Sequence, residues 1–202
     1  MKTVFVNPER CIGCKHCQIA CTVEHSESKN LYQAVFEEPL PRPRIHVAPG
    51  LYMDSSFPNK CRHCNPAPCM TVCPTGAISR DMEMDIVLVD DTKCIACAMC
   101  AMVCPFDVLT FYTVGTKLAA VKCDHCIQRQ REGEIPACVE ACKTDALVFG
   151  EINELVKFAR TKLAQSVSVA AIEMEPESVR GPDHVVAWRS LGKAVSTVGV
   201  EE

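Results

Sequence analysis

The residues with the most chemistry in this chain are its cysteines. The run Cys94-Ile-Ala-Cys97-Ala-Met-Cys100-Ala-Met-Val-Cys104-Pro105 shows their spacing. Three thiols recur at intervals of three, a fourth follows after an interval of four, and a proline closes the run. This is the spacing of an iron–sulfur cubane motif. The first three thiols sit on a tight loop and reach three corners of one cluster. The fourth lies one helical turn further on and points away, so it serves a second cluster. Four thiolates leave no vacant iron on a cubane, which suits it to one-electron transfer.

Three further groups follow the same plan. Cys11-x2-Cys14-x2-Cys17-x3-Cys21 has Thr22 where the proline would stand, so its helix is predicted to run on to about His25. In Cys61-x2-Cys64-x4-Cys69-x3-Cys73-Pro74 the middle loop is enlarged and shaped by Pro66 and Pro68. In Cys123-x2-Cys126-x11-Cys138-x3-Cys142 it is widened by the charged insert Arg129-Gln-Arg-Glu-Gly133. The 202 residues thus carry 16 cysteines in four groups of four, ligands for four [4Fe–4S] clusters. Spacing alone leaves the pairing of motifs open, because 20 residues separate the second from the third and 18 the third from the fourth.

The elements that must position these thiols are short. Residues 2 to 6 read as a strand, and Asn7-Pro8-Glu9-Arg10 as a turn into the first motif. A ribbon ending in Ile86-Val-Leu-Val89 separates the second and third motifs. A second ribbon, 108 to 114 and 118 to 122, separates the third and fourth, and 146 to 149 closes as a strand. The cysteine-free connection 26 to 60 holds Pro39-Leu-Pro-Arg-Pro-Arg44 and strands at 44 to 47 and 51 to 53. It reads as a surface loop joining two modules or as a basic, Pro-rich contact surface. After Gly150, the apolar positions Ile152, Leu155, Val156, Ala159 and Leu163 predict an amphipathic helix over 151 to 165. Residues 166 to 174 read as β-like, and the rest as a weakly structured extension.

Composition narrows the function classes. A net charge of −4 and an isoelectric point near 5.9 argue against nucleic-acid binding. With aromatics at 5%, small cores pinned by clusters are expected in place of one large apolar interior. The opening Met-Lys-Thr-Val-Phe-Val-Asn-Pro carries no export pattern, so a cytoplasmic chain with reduced thiols is expected, not a disulfide scaffold. No segment approaches the roughly 20 apolar residues that cross a bilayer, which leaves a partner as the only route to the membrane's inner face. There is no glycine-rich nucleotide loop, no Ser/His/Asp grouping and no spare carboxylate pair, hence no catalytic residue and no enzyme by itself. A structural zinc scaffold is the alternative of another class, but four-cysteine zinc sites take separated pairs of thiols, not triplets.

The strings Cys61-Arg-His-Cys64-Asn-Pro-Ala-Pro-Cys69, Val72-Cys-Pro-Thr-Gly-Ala77, Lys122-Cys-Asp-His-Cys126 and Ile135-Pro-Ala-Cys-Val-Glu-Ala-Cys142 carry a resemblance. Over about residues 1 to 150 the chain resembles the four-cluster iron–sulfur subunits of the dimethyl-sulfoxide-reductase and hydrogenase type. The resemblance implies an α+β fold of two nested two-cluster ferredoxin modules. The outer comprises 1–57 and 115–150, the inner 58–114, and 151–202 is an extension. It implies that Cys11, Cys14, Cys17 and Cys142 hold one cluster, and Cys21, Cys123, Cys126 and Cys138 its neighbour. In the inner module it implies Cys61, Cys64, Cys69 and Cys104 for one, and Cys73, Cys94, Cys97 and Cys100 for the other. Lys143 departs from the family's proline and leaves the local turn open. Asn7-Pro-Glu-Arg-Cys11, Val23-Glu-His-Ser26 and Pro43-Arg-Ile-His46 are most similar to the CooF-type subunits. That resemblance implies carbon monoxide dehydrogenase as electron donor and a hydrogenase or other redox protein as acceptor. A molybdenum oxidoreductase or a formate-linked hydrogenase is the alternative partner.

The conspicuous residues that are not ligands have plainer readings. His16, His63 and His125 each precede a ligand cysteine and read as exposed loop residues, or as pH-sensitive neighbours whose positive charge would raise a cluster's potential. Met70, Met99 and Met102 read as gap-fillers in a small core. Asp81, Glu83, Asp85, Asp90 and Asp91 read as solvated, or as an edge for a basic partner.

Overall fold

Residues 2–50 and 55–173 are described in the computed structural model, with side chains to residue 168. Among the described residues eight strands form four separate two-stranded antiparallel ribbons. These strands are β1 Lys2–Val6, β2 His46–Pro49, β3 Ser56–Asn59, β4 Ile78–Asp81, β5 Ile86–Val89, β6 Thr110–Val114, β7 Lys117–Val121 and β8 Leu147–Glu151. The helices are α1 His16–Glu24, α2 Leu31–Ala34, α3 Pro68–Thr71, α4 Met99–Met102, α5 Ile127–Arg131, α6 Ala137–Glu140 and α7 Ile152–Glu173. The architecture is therefore α+β with little regular structure per element. Four-residue helices are too short to stand alone, and α3, α4 and α6 each carry a cysteine, Cys69, Cys100 and Cys138, that packs in a core.

Ribbon pairing brings distant parts of the chain together. β1 pairs with β8 in the register Val4↔Phe149 and Val6↔Leu147, which ties the segment before the first motif to the segment after the fourth. One core joins Val4, Cys17, Cys21, Ile45, Cys138 and Leu147, drawing on those two motifs. A second joins Ala67, Ile78, Val87, Cys100, Leu109 and Ala120, with Cys69, Cys73, Cys94 and Cys104 against it, drawing on the second and third. Cys61, Val108 and Cys123 are buried in a third group, with Cys104 and Phe106 against it.

Most expected elements form where the pattern placed them. The strand at 2–6 and the ribbons at 78–89 and 110–121 are present, and α1 runs to Glu24 with His25 as its cap. In the 26–60 connection the ribbon falls at β2 and β3, and the strand expected at 51 to 53 lies outside the described residues. The segment expected to be β-like from 166 is helical, because α7 continues without a break to Glu173. Ser166 and Ser168 donate their hydroxyls to the carbonyls of Leu163 and Ala164, so the helix absorbs its poor formers. Contacts divide the chain into Met1–Leu155 and Val156–Glu202. Within the second unit Val156, Phe158, Leu163 and Val167 are exposed, and the extension after residue 173 is outside the described residues. Among the described residues no helix is long and apolar enough to cross a membrane.

Candidate metal centres

The loops that carry the thiols repeat one backbone device. The residue two after the first cysteine of each motif has a left-handed backbone: Gly13 at φ 69°, His63 at 50°, Ala96 at 55° and His125 at 59°. This bend turns the amide back on the loop. The N–H groups of His63, Ala96 and His125 donate to the sulfurs of Cys61, Cys94 and Cys123, each at 3.4 Å. Gly13 takes this bend without strain, and a Cβ there would lie 2.6 Å from Ser56 Oγ. Further N–H groups come from other elements, Arg44 to Cys21 at 3.2 Å and Ala120 to Cys94 at 3.3 Å. Such donors favour the thiolate over the thiol.

The folded chain gathers the sixteen thiols in four sets. Cys11, Cys14, Cys17 and Cys142 line one cavity, here the Cys11 site. Cys61, Cys64, Cys69 and Cys104 line a second with Val108 and Leu109, the Cys61 site. Cys73, Cys94, Cys97 and Cys100 line a third with Ile78 and Phe111, the Cys73 site. Cys21, Cys123, Cys126 and Cys138 are all buried, and the charges of Cys123 and Cys126 act on both Cys21 and Cys138. They form the Cys21 site.

Burial makes several of these thiols poor acids. It is the main reason the pKa of Cys17 is pushed up to about 11 and that of Cys126 to about 12. Cys138 is raised well above the ordinary thiol range, again by burial first and by its neighbouring cysteines second. Four thiolates crowded into an apolar pocket need a compensating cation, so the donor chemistry fits an iron–sulfur cluster at each site. Metal loading and folding are then one process.

The sites share elements in a regular order. Cys17 and Cys21 are four residues apart on α1, a rise of about 6 Å, so they belong to neighbouring sites. Cys138 and Cys142, Cys69 and Cys73, and Cys100 and Cys104 repeat this arrangement. Cys61, Cys104 and Cys123 meet in the third buried group, where the Cys21 and Cys61 sites face each other. Of the sixteen thiols Cys14 and Cys97 are exposed, one in the Cys11 site and one in the Cys73 site.

Several sequence expectations are corrected. His16 is exposed, but His63 and His125 are 2% exposed, because their left-handed backbone turns the imidazoles into the molecule. Met70, Met99 and Met102 are not core fillers. The short helices α3 and α4 turn Cys69 and Cys100 toward the second core and their methionines outward. Among the acids, Asp81 pairs with Arg131, Asp85 with Arg80 and Asp90 with Lys93, so part of that edge is neutralised within the chain. Lys143 keeps the turn that proline makes after Cys73, since Thr144 Oγ1 lies 3.8 Å from Cys142 Sγ as Thr75 Oγ1 lies 3.7 Å from Cys73 Sγ.

Sequence reasoning missed a polar clasp at the Cys21 site. Asp124 accepts from His25 Nε2 at 3.0 Å and from Arg44 Nη1 at 2.6 Å. Burial alone would raise its carboxyl, but His25 and Arg44 outweigh it and hold Asp124 well below the usual carboxylate range. The signal was already in Val23-Glu-His-Ser26 and Pro43-Arg-Ile-His46, whose His25 and Arg44 supply the clasp. The charged insert is also structural, because Arg129 bonds Glu24 of α1 and Glu140 beyond Cys138.

A profile of the 4Fe-4S dicluster domain matches residues 53–152. The Escherichia coli (strain K12) electron transport protein HydN is 34% identical over 79% of this chain and 93% of its own length. The thiosulfate reductase electron transfer subunit PhsB of Salmonella typhi is 39% identical over 72% of this chain and 73% of its own. A tetrathionate reductase subunit of Salmonella typhimurium is 31% identical over 89% of this chain and 69% of its own. Sixteen thiols gathered four by four, together with these relatives, place the chain in the 4Fe-4S dicluster family, as an iron–sulfur electron-transfer protein with four [4Fe–4S] clusters.

Proposed function

We propose that this protein is a relay for single electrons, with its four sites in the order Cys11, Cys21, Cys61, Cys73. Bound there, each [4Fe–4S] cluster supplies a centre that is reversibly reduced by one electron. The observation that carries the reading is the distribution of burial. The exposed thiols Cys14 and Cys97 belong to the two end sites, while Cys21, Cys61, Cys123, Cys126 and Cys138 in the middle are buried. The protein residues hold the thiolates, donate N–H groups to their sulfurs and keep water from the middle of the row.

The ligand sets proposed are the four thiol sets above, nested with the first motif against the fourth and the second against the third. The outer module is 1–57 with a returning segment, and the inner is inserted at 58. Ala120 packs in the second core and its N–H bonds Cys94. The return is therefore better drawn at Lys122 than at 115, which would cut the β6–β7 ribbon.

For the partners we propose carbon monoxide dehydrogenase as donor and a hydrogenase or other redox protein as acceptor, in the cytoplasm or at the inner membrane face through that partner. The support is the CooF-like character of the segments that build the clasp around Asp124. A second reading, an electron-transfer subunit of a molybdenum oxidoreductase or formate-linked hydrogenase, is favoured by relatives named as subunits of thiosulfate and tetrathionate reductases. Mixing the anaerobic protein with carbon monoxide and a carbon monoxide dehydrogenase separates the two. Rapid bleaching of the visible absorption is the result expected. No bleaching, with co-purification of a reductase catalytic subunit from native cells, overturns the first reading.

A further inference from the structure

The pattern Lys-Cys-x-His-Cys occurs twice, as Lys60-Cys61-Arg62-His63-Cys64 and as Lys122-Cys123-Asp124-His125-Cys126. The fold closes the two copies on each other. The rings of His63 and His125 lie 4.4 Å apart. Lys60 is 0% exposed and Lys122 3%. Each ammonium donates to the carbonyl of the cysteine that follows it, Lys60 Nζ to Cys61 O and Lys122 Nζ to Cys123 O, both at 3.2 Å. Lys60 Nζ also lies 3.2 Å from His125 Nε2, and Lys122 Nζ donates to the carbonyl of Val87. Val87 in turn donates its N–H to His63 Nδ1 at 3.1 Å.

These contacts are with carbonyls and an imidazole, none of them anionic. A buried ammonium persists only where negative charge faces it. The charge is supplied crosswise. Lys122 belongs to the copy that feeds the Cys21 site, yet it lines the cavity of the Cys61 site. Lys60 precedes Cys61, yet its Nζ lies against Nε2 of His125, on the loop between Cys123 and Cys126 of the Cys21 site. Each module thus lends the other a cation at the point where the two middle sites face.

We propose that Lys60 and Lys122 are positioning residues for electron transfer. They are crossed buried cations that raise and match the reduction potentials of the two middle sites. The inference rests on the four-cluster reading above. In the step concerned one electron leaves one middle site and arrives at the other, and no bond is made or broken. A cation beside each site stabilises the extra electron there, so the electron crosses between modules without falling into a trap on either side. At the end sites the cations are exposed: Lys15 lines the Cys11 cavity, Lys117 donates to the carbonyl of Cys94, and Arg10 and Lys93 stand before the first cysteines.

The test uses the full chain, purified anaerobically with its clusters. The variants are Lys60→Gln and Lys122→Gln, which keep a hydrogen-bond donor without the charge, together with the double variant. Lys60→Met and Lys122→Met, apolar and of similar length, serve as a second pair. Lys157→Gln on the exposed part of α7 is the control. Iron and sulfide are counted, and reduction is followed by electron paramagnetic resonance during potentiometric titration with dithionite. The expected result is about sixteen irons retained, with one reduction step moved down in each single variant and two in the double. Each moves by at least about tenfold in its equilibrium constant, which is about 59 mV for one electron. The two single variants move different steps, and the control moves none. Unmoved steps, a common shift of all four, or loss of iron from every lysine variant overturns the inference and leaves the lysines a purely structural role. A wild-type protein without about sixteen irons overturns the four-cluster reading itself, and this inference with it.

Discussion

Cys14 and Cys97 stand in contact with solvent, whereas Cys61 and Cys123, which meet between the two middle sites, are buried. The loops at both places have the same left-handed bend two residues after the first cysteine. What differs is the side chain on the bend. At the ends it is hydrogen or methyl, Gly13 and Ala96. In the middle it is an imidazole, His63 and His125, nearly without exposure. The cluster-binding loop needs only the backbone, so the side chain is free to follow its surroundings. At an end the loop stays small and lets a partner approach, while in the middle space must be filled and charge balanced.

Removing iron is the harshest test of this contrast, because it acts on both regions at once. Anaerobic chelation is expected to abolish cooperative thermal unfolding followed by circular dichroism, since buried thiols without metal leave the short helices unfastened. Persistence of a cooperative transition would show that the cores suffice alone. Next in size, Cys123→Ser in the middle is expected to lose its whole site, about four of sixteen irons. Cys14→Ser at an end should retain at least about three irons there, because solvent can complete the site. Equal losses by iron analysis would erase the distinction between ends and middle.

Exchanging the side chains on the bends sharpens the comparison further. His63→Ala should cost about 2–4 kcal/mol in anaerobic denaturant unfolding, as large-to-small changes in tight cores do. Ala96→His, on a loop open to solvent, should fall within about 0.5 kcal/mol of the parent. Arg129→Ala breaks the bonds from the insert to Glu24 and Glu140 and should cost about 1–2 kcal/mol by the same measurement.

The smallest effect concerns Glu37, which is bonded to the 26–60 connection's own backbone. Its carboxylate accepts from Ser28 Oγ and from the N–H groups of Ser28 and Glu27, and these bonds lower its pKa. The stabilisation is present above the ordinary glutamate range and is lost as pH falls through the lowered value. The protection factor of the Ser28 amide should therefore fall below about pH 4 and be reduced at all pH values in Glu37→Ala, with the sulfur loops unaffected.

What the sequence disclosed follows from the physics of each region. Thiol spacing is tied to loop geometry, so the gathering of Cys94, Cys97 and Cys100 in one cavity could be read without a structure. Ribbons with alternating or β-branched residues, such as 86–89, were legible for the same local reason. The burial of His63 and His125 was not, since it depends on two loops 62 residues apart in sequence closing on each other. Nor was the outward turn of Met99 and Met102, because a four-residue helix has too few positions for periodicity to separate its faces. The 26–60 connection was read for its arginines, yet Arg44 turns inward to Asp124. Beside the exposed Arg42 it presents apolar side chains, with Tyr32 and Phe36 more than three-quarters open.

Diffraction at the iron absorption edge from anaerobically grown crystals tests the central claim most directly. Four compact iron sites are predicted, with Cys142 bound beside Cys11, Cys14 and Cys17, and Cys104 beside Cys61, Cys64 and Cys69. Cys104 found on the same iron cube as Cys94, or sulfurs joined to each other or to lone zinc ions, would contradict the account.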